Sequence, residues 1–236
     1  MTDLLYHRDA YLKDFAAVIV EARGMEVLLD RTAFYPGGGG QPGDQGELRW
    51  AQGSAGLAGF RKDESGPWHL LQGEPPSVGV SVGGRLDWER RYQLMRTHTA
   101  MHILCGVIWR RYGASVTGGN MEPLRGRMDF EFESMRQELV KEIEELINRE
   151  VAAAHSVSAR TLPRDEAFQI PDLIRTKINL LPAGIAEVRV VEIDGLDLQA
   201  DGGTHVANTR EVGPLKIVDY KSKGAINKRL VVALEA

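Results

Sequence analysis

Apolar and polar residues alternate in short stretches along the first third of the chain, which predicts a domain built of β-strands. Turn residues, glycine above all, separate these stretches. The expected strands are Phe15 to Val20, Glu26 to Asp30, Gly46 to Trp50, Gly66 to Leu70 and Gly79 to Gly84. His69 is expected on the surface of its strand. We therefore predict a small β domain over residues 1–86.

The pattern changes at Arg85-Leu86-Asp87-Trp88, where a helical period begins and runs to about Arg111. One stripe of this helix carries Leu94, His98, His102, Cys105 and Trp109. Two histidines on an apolar stripe face inward, and buried imidazoles need partners. Metal ligation would supply such partners.

The remaining chain mixes helix and strand. Ser134-Met135-Arg136-Gln137 predicts a capping box at the start of a second amphipathic helix, which continues to Val151. Strands are expected at Arg127 to Phe132, Val157 to Leu162 and Ala186 to Ile193, with a hairpin around Lys221-Ser222-Lys223-Gly224. Residues 87–236 thus form a second domain, and the fold class is α+β.

Two pairs of potential metal ligands have the same spacing. His98 and His102 lie one helical turn apart, and Asp201 and His205 are separated by two glycines and a threonine. A helix and a loop that supply two ligands each are typical of a tetrahedral zinc site, although a lone pair of histidines also occurs by chance. Thr99 follows the first histidine where helical zinc proteases carry a glutamate, so peptide hydrolysis by that route is disfavoured.

Four successive glycines, Gly37–Gly40, precede Gln41. Such a run is entropically costly in any regular element and indicates a loop whose backbone lies against a ligand; a flexible surface loop is the alternative. The aromatic pair and proline at Phe34-Tyr35-Pro36 favour a pinned loop.

The amino-acid composition is that of an ordinary globular protein, and its most informative feature is the local distribution of charge. The chain has 236 residues, 43% of them hydrophobic, and a net charge of −4, and its single cysteine, Cys105, favours a cytosolic protein. No apolar run is long enough to span a membrane. Eight basic residues against three acidic ones between Arg85 and Arg127, and six against two between Arg210 and Arg229, favour a rim that attracts anions over a merely solvated surface.

Three linked motifs resemble the editing region of alanyl-tRNA synthetases. They are Thr32-x-Phe34-Tyr35-Pro36-x-x-Gly39-Gly40-Gln41-x-x-Asp44-x-Gly46, Arg96-Thr97-His98-Thr99-Ala100-x-His102 and Gly202-Gly203-Thr204-His205-Val206. Without an aminoacylation domain, the chain is similar to the free-standing AlaX-type editing proteins in their medium form. The resemblance implies a β-barrel-like N-terminal domain followed by an α/β editing domain with an antiparallel sheet and a metal-bearing helix.

The resemblance also implies a reaction, a cofactor and a partner. The reaction is hydrolysis of seryl-tRNA(Ala), with glycyl-tRNA(Ala) as a further candidate, and the cofactor is Zn²⁺ held by His98, His102 and His205. Asp201 stands where most synthetase editing sites have cysteine; it either completes the site as fourth ligand, which we favour, or hydrogen-bonds a water and leaves that position open.

Further roles follow from the same resemblance. Thr32 is the candidate for sensing the serine hydroxyl, and Thr32, Gln41 and Asp201 are the candidate catalytic residues. Candidate contacts to the substrate or to the tRNA are Thr32, Gly38, Gly39, Gly40, Gln41, Arg96, Lys223 and Arg229, of which the last three are candidate phosphate contacts. The alternatives are a non-catalytic, zinc-stabilised module that binds the acceptor stem and an editing protein for threonyl-tRNA; the Phe34-Tyr35-Pro36 block favours the alanine system.

Overall fold

A closed antiparallel barrel occupies the first part of the chain. The computed structural model describes residues 2–176, 181 and 184–236, and its contacts divide into two units, Met1–Tyr92 and Gln93–Ala236. The strands of the first unit are β1 (Asp3–Leu4), β2 (Asp14–Arg23), β3 (Glu26–Leu29), β4 (Arg31–Thr32), β5 (Gly46–Trp50), β6 (Gly53–Asp63), β7 (Gly66–Leu71) and β8 (Ser81–Leu86). Six of them close the barrel in the order β2-β3-β7-β6-β5-β8, and β1 pairs with β4 in parallel.

Alternation along the strands fills the barrel. Every second residue of β8 is buried, and the fully buried core includes Ile19, Leu29, Phe34 and Leu48. β7 departs from this pattern because three successive residues, Pro67, Trp68 and His69, are all buried. The expectation that His69 lies on a strand surface is therefore wrong.

The second unit contains helices and two antiparallel sheets. In chain order, beginning with a helix whose first five residues fall in the first unit, the elements are α1 (Trp88–Tyr112), β9 (Val116–Glu122), β10 (Arg125–Glu131), α2 (Gln137–Ala152), β11 (Val157–Pro163), α3 (Arg164–Ala167), β12 (Glu187–Ile193), β13 (Asp197–Ala200), β14 (Leu215–Ser222) and β15 (Asn227–Leu234). One sheet has the order β14-β15-β10-β9 and the other β11-β12-β13. The α+β class is confirmed. None of the described helices is long and apolar enough to cross a membrane.

The two long helices differ in how they are buried. Residues 97–108 of α1 are all buried, so this helix has no solvated face along three turns. α2 buries one face through Val140, Ile143, Ile147 and Val151, as its amphipathic pattern predicts.

The start of α2 differs from the expected capping box. Ser134 lies outside the helix, which begins at Gln137, and the N-cap residue Arg136 makes no hydrogen bond through its side chain. Gln137 therefore occupies the first helical position instead of the third, where it would have bonded back to the cap.

Candidate metal centre

Four side chains of the second unit converge on one point. His98 and His102 extend from consecutive turns of α1, and Asp201 and His205 come from the loop that follows β13. Their ligand atoms all lie within 4.8 Å of one another, and the three imidazoles are almost fully buried. The sequence predicts this set, and the structure brings all four members together.

The distances from Asp201 to the three imidazoles fit a small tetrahedral ion. Asp201 Oδ2 lies 3.3 Å from His98 Nε2 and 3.7 Å from His102 Nε2, and Asp201 Oδ1 lies 3.2 Å from His205 Nε2. With metal–ligand distances of roughly 2.0–2.1 Å, neighbouring ligands of a tetrahedral zinc lie about 3.3 Å apart. Three imidazoles and a carboxylate are donors that zinc accepts, so the residues fit the ion that the resemblance implies.

Two of the histidines are oriented by groups behind them. His102 Nδ1 lies 2.9 Å from Asp197 Oδ2, and His205 Nδ1 lies 3.2 Å from Thr99 Oγ1. Thr99 Oγ1 also accepts a hydrogen bond from the Val206 N–H. In both rings the Nδ1 side is thus occupied, and Nε2 is the atom that faces the cluster.

The loop that carries Asp201 and His205 is held by its own backbone contacts. Asp201 Oδ1 accepts a 2.6 Å hydrogen bond from the Gly203 N–H, which closes a tight turn. From β12, the Arg189 guanidinium donates to the carbonyls of Asp201 and Gly203, at 3.0 and 2.9 Å. These bonds place the second pair of ligands opposite the helix.

Charges within the cluster depend on one another. Burial alone would raise the pKa of Asp201, but the imidazoles around it, His98 first, hold that pKa well below its usual range. Burial would likewise lower the pKa of His102, yet hydrogen bonds to Asp197 and Asp201 raise it to about 9. Burial and the neighbouring His98 lower the pKa of His205 well below its ordinary value. The carboxylate is therefore ionised at neutral pH and attracts a cation.

The remaining candidates for amino-acid recognition belong to the first unit. Thr32 is fully buried; its Oγ1 accepts a hydrogen bond from the Phe34 N–H at 3.1 Å and lies 2.9 Å from His69 Nε2. Gln41 is also buried, with 2% of its surface exposed. The hydroxyl of Thr32 is thus tied to its own strand end and to a buried histidine, and its part in substrate recognition stays a prediction.

The glycine-rich loop forms an ordered turn. Gly38 and Gln41 exchange two backbone hydrogen bonds, of 3.0 and 2.9 Å, across Gly39 and Gly40, whose φ angles are +58° and +89°. Positive φ at both central residues is the geometry of a type I′ turn, which side-chain-bearing residues adopt only with strain. Tyr35 donates from its hydroxyl to the Gly38 carbonyl at 3.0 Å. The backbone conformation alone accounts for these glycines, and their contact with a ligand stays a prediction.

A buried ion pair supports the base of this loop. Asp44 accepts from the Tyr35 N–H at 2.6 Å and from the Arg91 guanidinium, whose Nε lies 2.9 Å from Asp44 Oδ1. Arg91 also donates to the Ala33 and Ala10 carbonyls. The whole Arg91 side chain is buried, so its charge is balanced within the unit.

The three basic candidates for tRNA contact have different surroundings. Arg96 donates to the carbonyls of Val212 and Glu235, and Arg229 makes two hydrogen bonds, of 2.7 and 2.8 Å, to Asp129. Lys223 is exposed on the hairpin between β14 and β15. Lys223 is therefore the most accessible of the three, and tRNA contact by each of them stays a prediction.

Comparisons with known proteins cover both units. Residues 8–90 match the class II (A) tRNA synthetase family, and residues 188–231, which contain Asp201 and His205, match the second additional domain of threonyl- and alanyl-tRNA synthetases. The chain is 38% identical to the alanyl-tRNA editing protein AlaX-M of Saccharolobus solfataricus, over 98% of each chain. The chain belongs to the AlaX-M family. A second AlaX-M protein, from Methanosarcina mazei, is 38% identical over 99% of this chain and 97% of its own length.

The chain is also similar to part of alanine–tRNA ligases. The alanine–tRNA ligase of Ignicoccus hospitalis is 38% identical over 93% of this chain, which corresponds to 24% of the ligase. The similarity thus extends across both units of this chain and about a quarter of the ligase.

The partners of His102 and Thr32 were not predicted from the sequence. Asp197 is separated from His102 by 95 positions, and His69 from Thr32 by 37. Neither carries a local motif. The only available signal was chemical: an inward-facing histidine needs a partner on each ring nitrogen, which predicts that such a residue exists without saying where.

Proposed function

We propose that this protein hydrolyses the ester bond of seryl-tRNA(Ala), with glycyl-tRNA(Ala) as a further candidate substrate, and that a zinc ion bound by His98, His102, Asp201 and His205 serves the reaction. The observation that carries the proposal is the convergence of these four ligands in a chain of the AlaX-M family. The names of its relatives specify alanyl-tRNA editing, and the substrate end of that reaction is an aminoacyl ester.

The need for such an activity follows from physical chemistry. A pocket shaped for alanine discriminates weakly against serine, which adds one hydroxyl, and against glycine, which lacks one methyl group. A second hydrolytic site removes the wrong products after they form. Hydrolysis of an activated ester needs no ATP. Aminoacyl-tRNA is found in the cytoplasm, and we propose that the protein acts there.

The residues of this chain divide the work as follows. The three imidazoles and Asp201 would hold the zinc, and a zinc ion bound there would supply Lewis-acid chemistry to ester hydrolysis. Thr32 would distinguish serine from alanine through its hydroxyl, and Gln41 with the glycine turn would contact the terminal adenosine or the ester. Lys223, Arg96 and Arg229 are the candidate phosphate contacts.

The first experiment follows ester loss from three substrates. Purified protein is incubated with seryl-, glycyl- and alanyl-tRNA(Ala) after removal of metal by a chelator and again after zinc is restored. We expect zinc-dependent loss of serine with alanine spared. Retained tRNA binding without hydrolysis would favour the binding module instead, and preferential hydrolysis of seryl-tRNA(Thr) would favour the threonine system.

The role of Asp201 is tested by three substitutions. We expect Asp201→Ala to lose both bound zinc and deacylation, Asp201→Asn to weaken both, and Asp201→Cys to retain zinc because thiolate is a strong ligand. Metal content is measured by atomic emission. Unchanged zinc content and activity in Asp201→Ala would remove this residue from the ligand set.

Thr32 is tested by Thr32→Val, which keeps the shape of the side chain and removes its hydroxyl. If the hydroxyl senses serine, the ratio of seryl- to alanyl-tRNA(Ala) hydrolysis falls by about 10-fold or more while zinc content is unchanged. Thr32→Ser is the matched control and keeps the hydroxyl. An unchanged ratio in Thr32→Val would assign the hydroxyl to the contacts with Phe34 and His69 alone.

A further inference from the structure

Behind the ligand set lies a carboxylate that the proposed function does not use. Asp197, at the start of β13, is completely buried at its side chain, and its Oδ2 lies 2.9 Å from His102 Nδ1. An ionised carboxylate only accepts hydrogen bonds, so the ring proton of His102 must lie on Nδ1. When the ring is neutral, His102 Nε2 therefore carries the lone pair that faces the cluster.

Two further side chains hold this carboxylate in place. Gln199 donates from Nε2 to Asp197 Oδ2 at 2.7 Å, and Arg175 Nη1 lies 3.0 Å from Asp197 Oδ1. A buried charge is costly without a counter-ion, and Arg175, with 9% of its side chain exposed, supplies one. The Arg175 guanidinium also lies over the Trp109 ring, 5.4 Å from its centre.

Gly106 allows the carboxylate to approach the helix. This residue lies one turn beyond His102 in α1, where glycine costs about 1 kcal/mol relative to alanine. A Cβ at this position would lie 3.1 Å from Asp197 Cβ and 3.0 Å from Leu196 Cγ, which is tighter than ordinary packing. The glycine thus leaves room for Leu196 and Asp197 to lie directly against α1.

We propose that Asp197 is a positioning residue of the metal centre, which fixes the ring orientation and tautomer of His102 so that Nε2 faces the ion. Arg175 and Gln199 hold the Asp197 carboxylate, and Gly106 leaves space for it beside α1. The inference rests on the proposed zinc site and adds a group behind it. A purely structural Asp197–Arg175 pair would not require the second carboxylate oxygen to contact the ring of a ligand.

The test measures zinc affinity, with activity as a secondary readout. Zinc dissociation constants of the wild type, Asp197→Asn and Asp197→Ala are determined by competition with a chromophoric chelator. We expect losses of about 10-fold for asparagine, which keeps a neutral acceptor, and about 100-fold for alanine, as is typical when a partner of a ligating histidine is removed. We also expect the d–d bands in the cobalt(II) spectra of the two variants to differ from those of the wild type, because the coordination geometry changes when His102 is no longer held.

Glu150→Gln is the matched control. Glu150 Oε2 lies 2.7 Å from His155 Nε2, so this pair is also a histidine–carboxylate contact of the second unit, but neither residue belongs to the cluster. We expect zinc affinity within about twofold of the wild type. Zinc affinity equally unchanged in Asp197→Ala, with the fold retained by circular dichroism, would overturn the proposal.

Gly106→Ala separates positioning from stability. In an unconstrained helix this substitution stabilises by up to about 1 kcal/mol, whereas here the added methyl group meets Leu196 and Asp197. We expect weaker zinc binding than the wild type even where the melting temperature of the metal-free protein is unchanged. Unaltered zinc affinity in a well-folded Gly106→Ala protein would show that the close approach is not needed.

A measurement on the metal-free protein distinguishes failure of this inference from failure of the zinc proposal. At pH 10, above the pKa of His102, ring ¹⁵N chemical shifts report which nitrogen carries the proton. We expect the Nδ1–H form in the wild type and a mixture of both forms in Asp197→Ala. A wild-type protein with the Nδ1–H form but no zinc binding would refute the zinc proposal alone, and the Nε2–H form would refute the role of Asp197.

Discussion

Acid should destabilise the barrel through one residue, His69. Its side chain is completely buried beside the rings of Phe34 and Phe60, with ring centres 5.9 and 5.3 Å away. Burial disfavours the imidazolium and, although the Val27 backbone partly offsets this, lowers the pKa of His69 to about 4. In the unfolded chain the same group titrates near 6.5. Because the unfolded state binds the proton more tightly, acidification favours unfolding between these two values.

The magnitude follows from the two pKa values. Above about pH 7 the imidazole is neutral in both states and contributes no pH dependence. At pH 5 the linkage relation gives a loss of about 2 kcal/mol in the free energy of unfolding, and at pH 4 a loss of about 3 kcal/mol. Such losses are a large share of the total stability of a typical domain.

The assay compares wild type with His69→Gln in urea unfolding from pH 7.5 to pH 4.5, with a chelator present throughout. Glutamine offers a neutral polar atom to Thr32 and has no titration in this range. Every other ionisable group is the same in both proteins, so the difference in unfolding free energy isolates His69. We expect that difference to narrow by about 2 kcal/mol between pH 7 and pH 5. A difference that stays constant with pH would refute the conclusion that His69 is buried in its neutral form.

Two other substitutions test the support of the glycine turn. Asp44→Ala leaves the charge of Arg91 buried without its counter-ion and should cost about 3–5 kcal/mol in urea unfolding, whereas an exposed pair would cost under about 1 kcal/mol. Gly39→Ala should lower the free energy of unfolding by about 1–2 kcal/mol through its positive φ, and Gly39→Asn by less, as measured by thermal unfolding; equal stability of all three proteins would contradict the type I′ geometry.

The sequence correctly predicted those helices and strands in which buried residues recur at regular spacing. The helix that bears His98 and His102 was predicted from Trp88 to Arg111 and runs from Trp88 to Tyr112. The paired strands of the barrel appear where alternation placed them, because side chains on one face of each strand are buried. A cap is harder to predict: Ser134 and Gln137 have the spacing of a capping box, yet the chain enters α2 at Gln137, since such motifs are weak beside tertiary packing.

Contacts that are distant in the sequence explain why His69 was misplaced. His69 breaks the alternation of β7 because β7 is buried on both faces, and alternation applies only where one face meets solvent. The glycine run predicts a backbone that lies against a ligand, and this stays a prediction; a tight turn with positive φ also requires glycine at Gly39 and Gly40. A local pattern shows that a residue is unusual, but the reason depends on partners that are distant in the sequence.

The candidate metal centre shows most clearly which residues a local pattern can predict. Its ligands are predictable because helical geometry sets the spacing of His98 and His102, and a short loop joins Asp201 to His205. The groups that orient the ligands are not predictable from a local pattern, because Asp197 and Thr99 each contact a ring that belongs to a different element. These groups hold the rings of His102 and His205 in fixed orientations, so less conformational entropy is lost when an ion binds. Affinity for the ion should therefore depend on the orienting groups as well as on the four ligands.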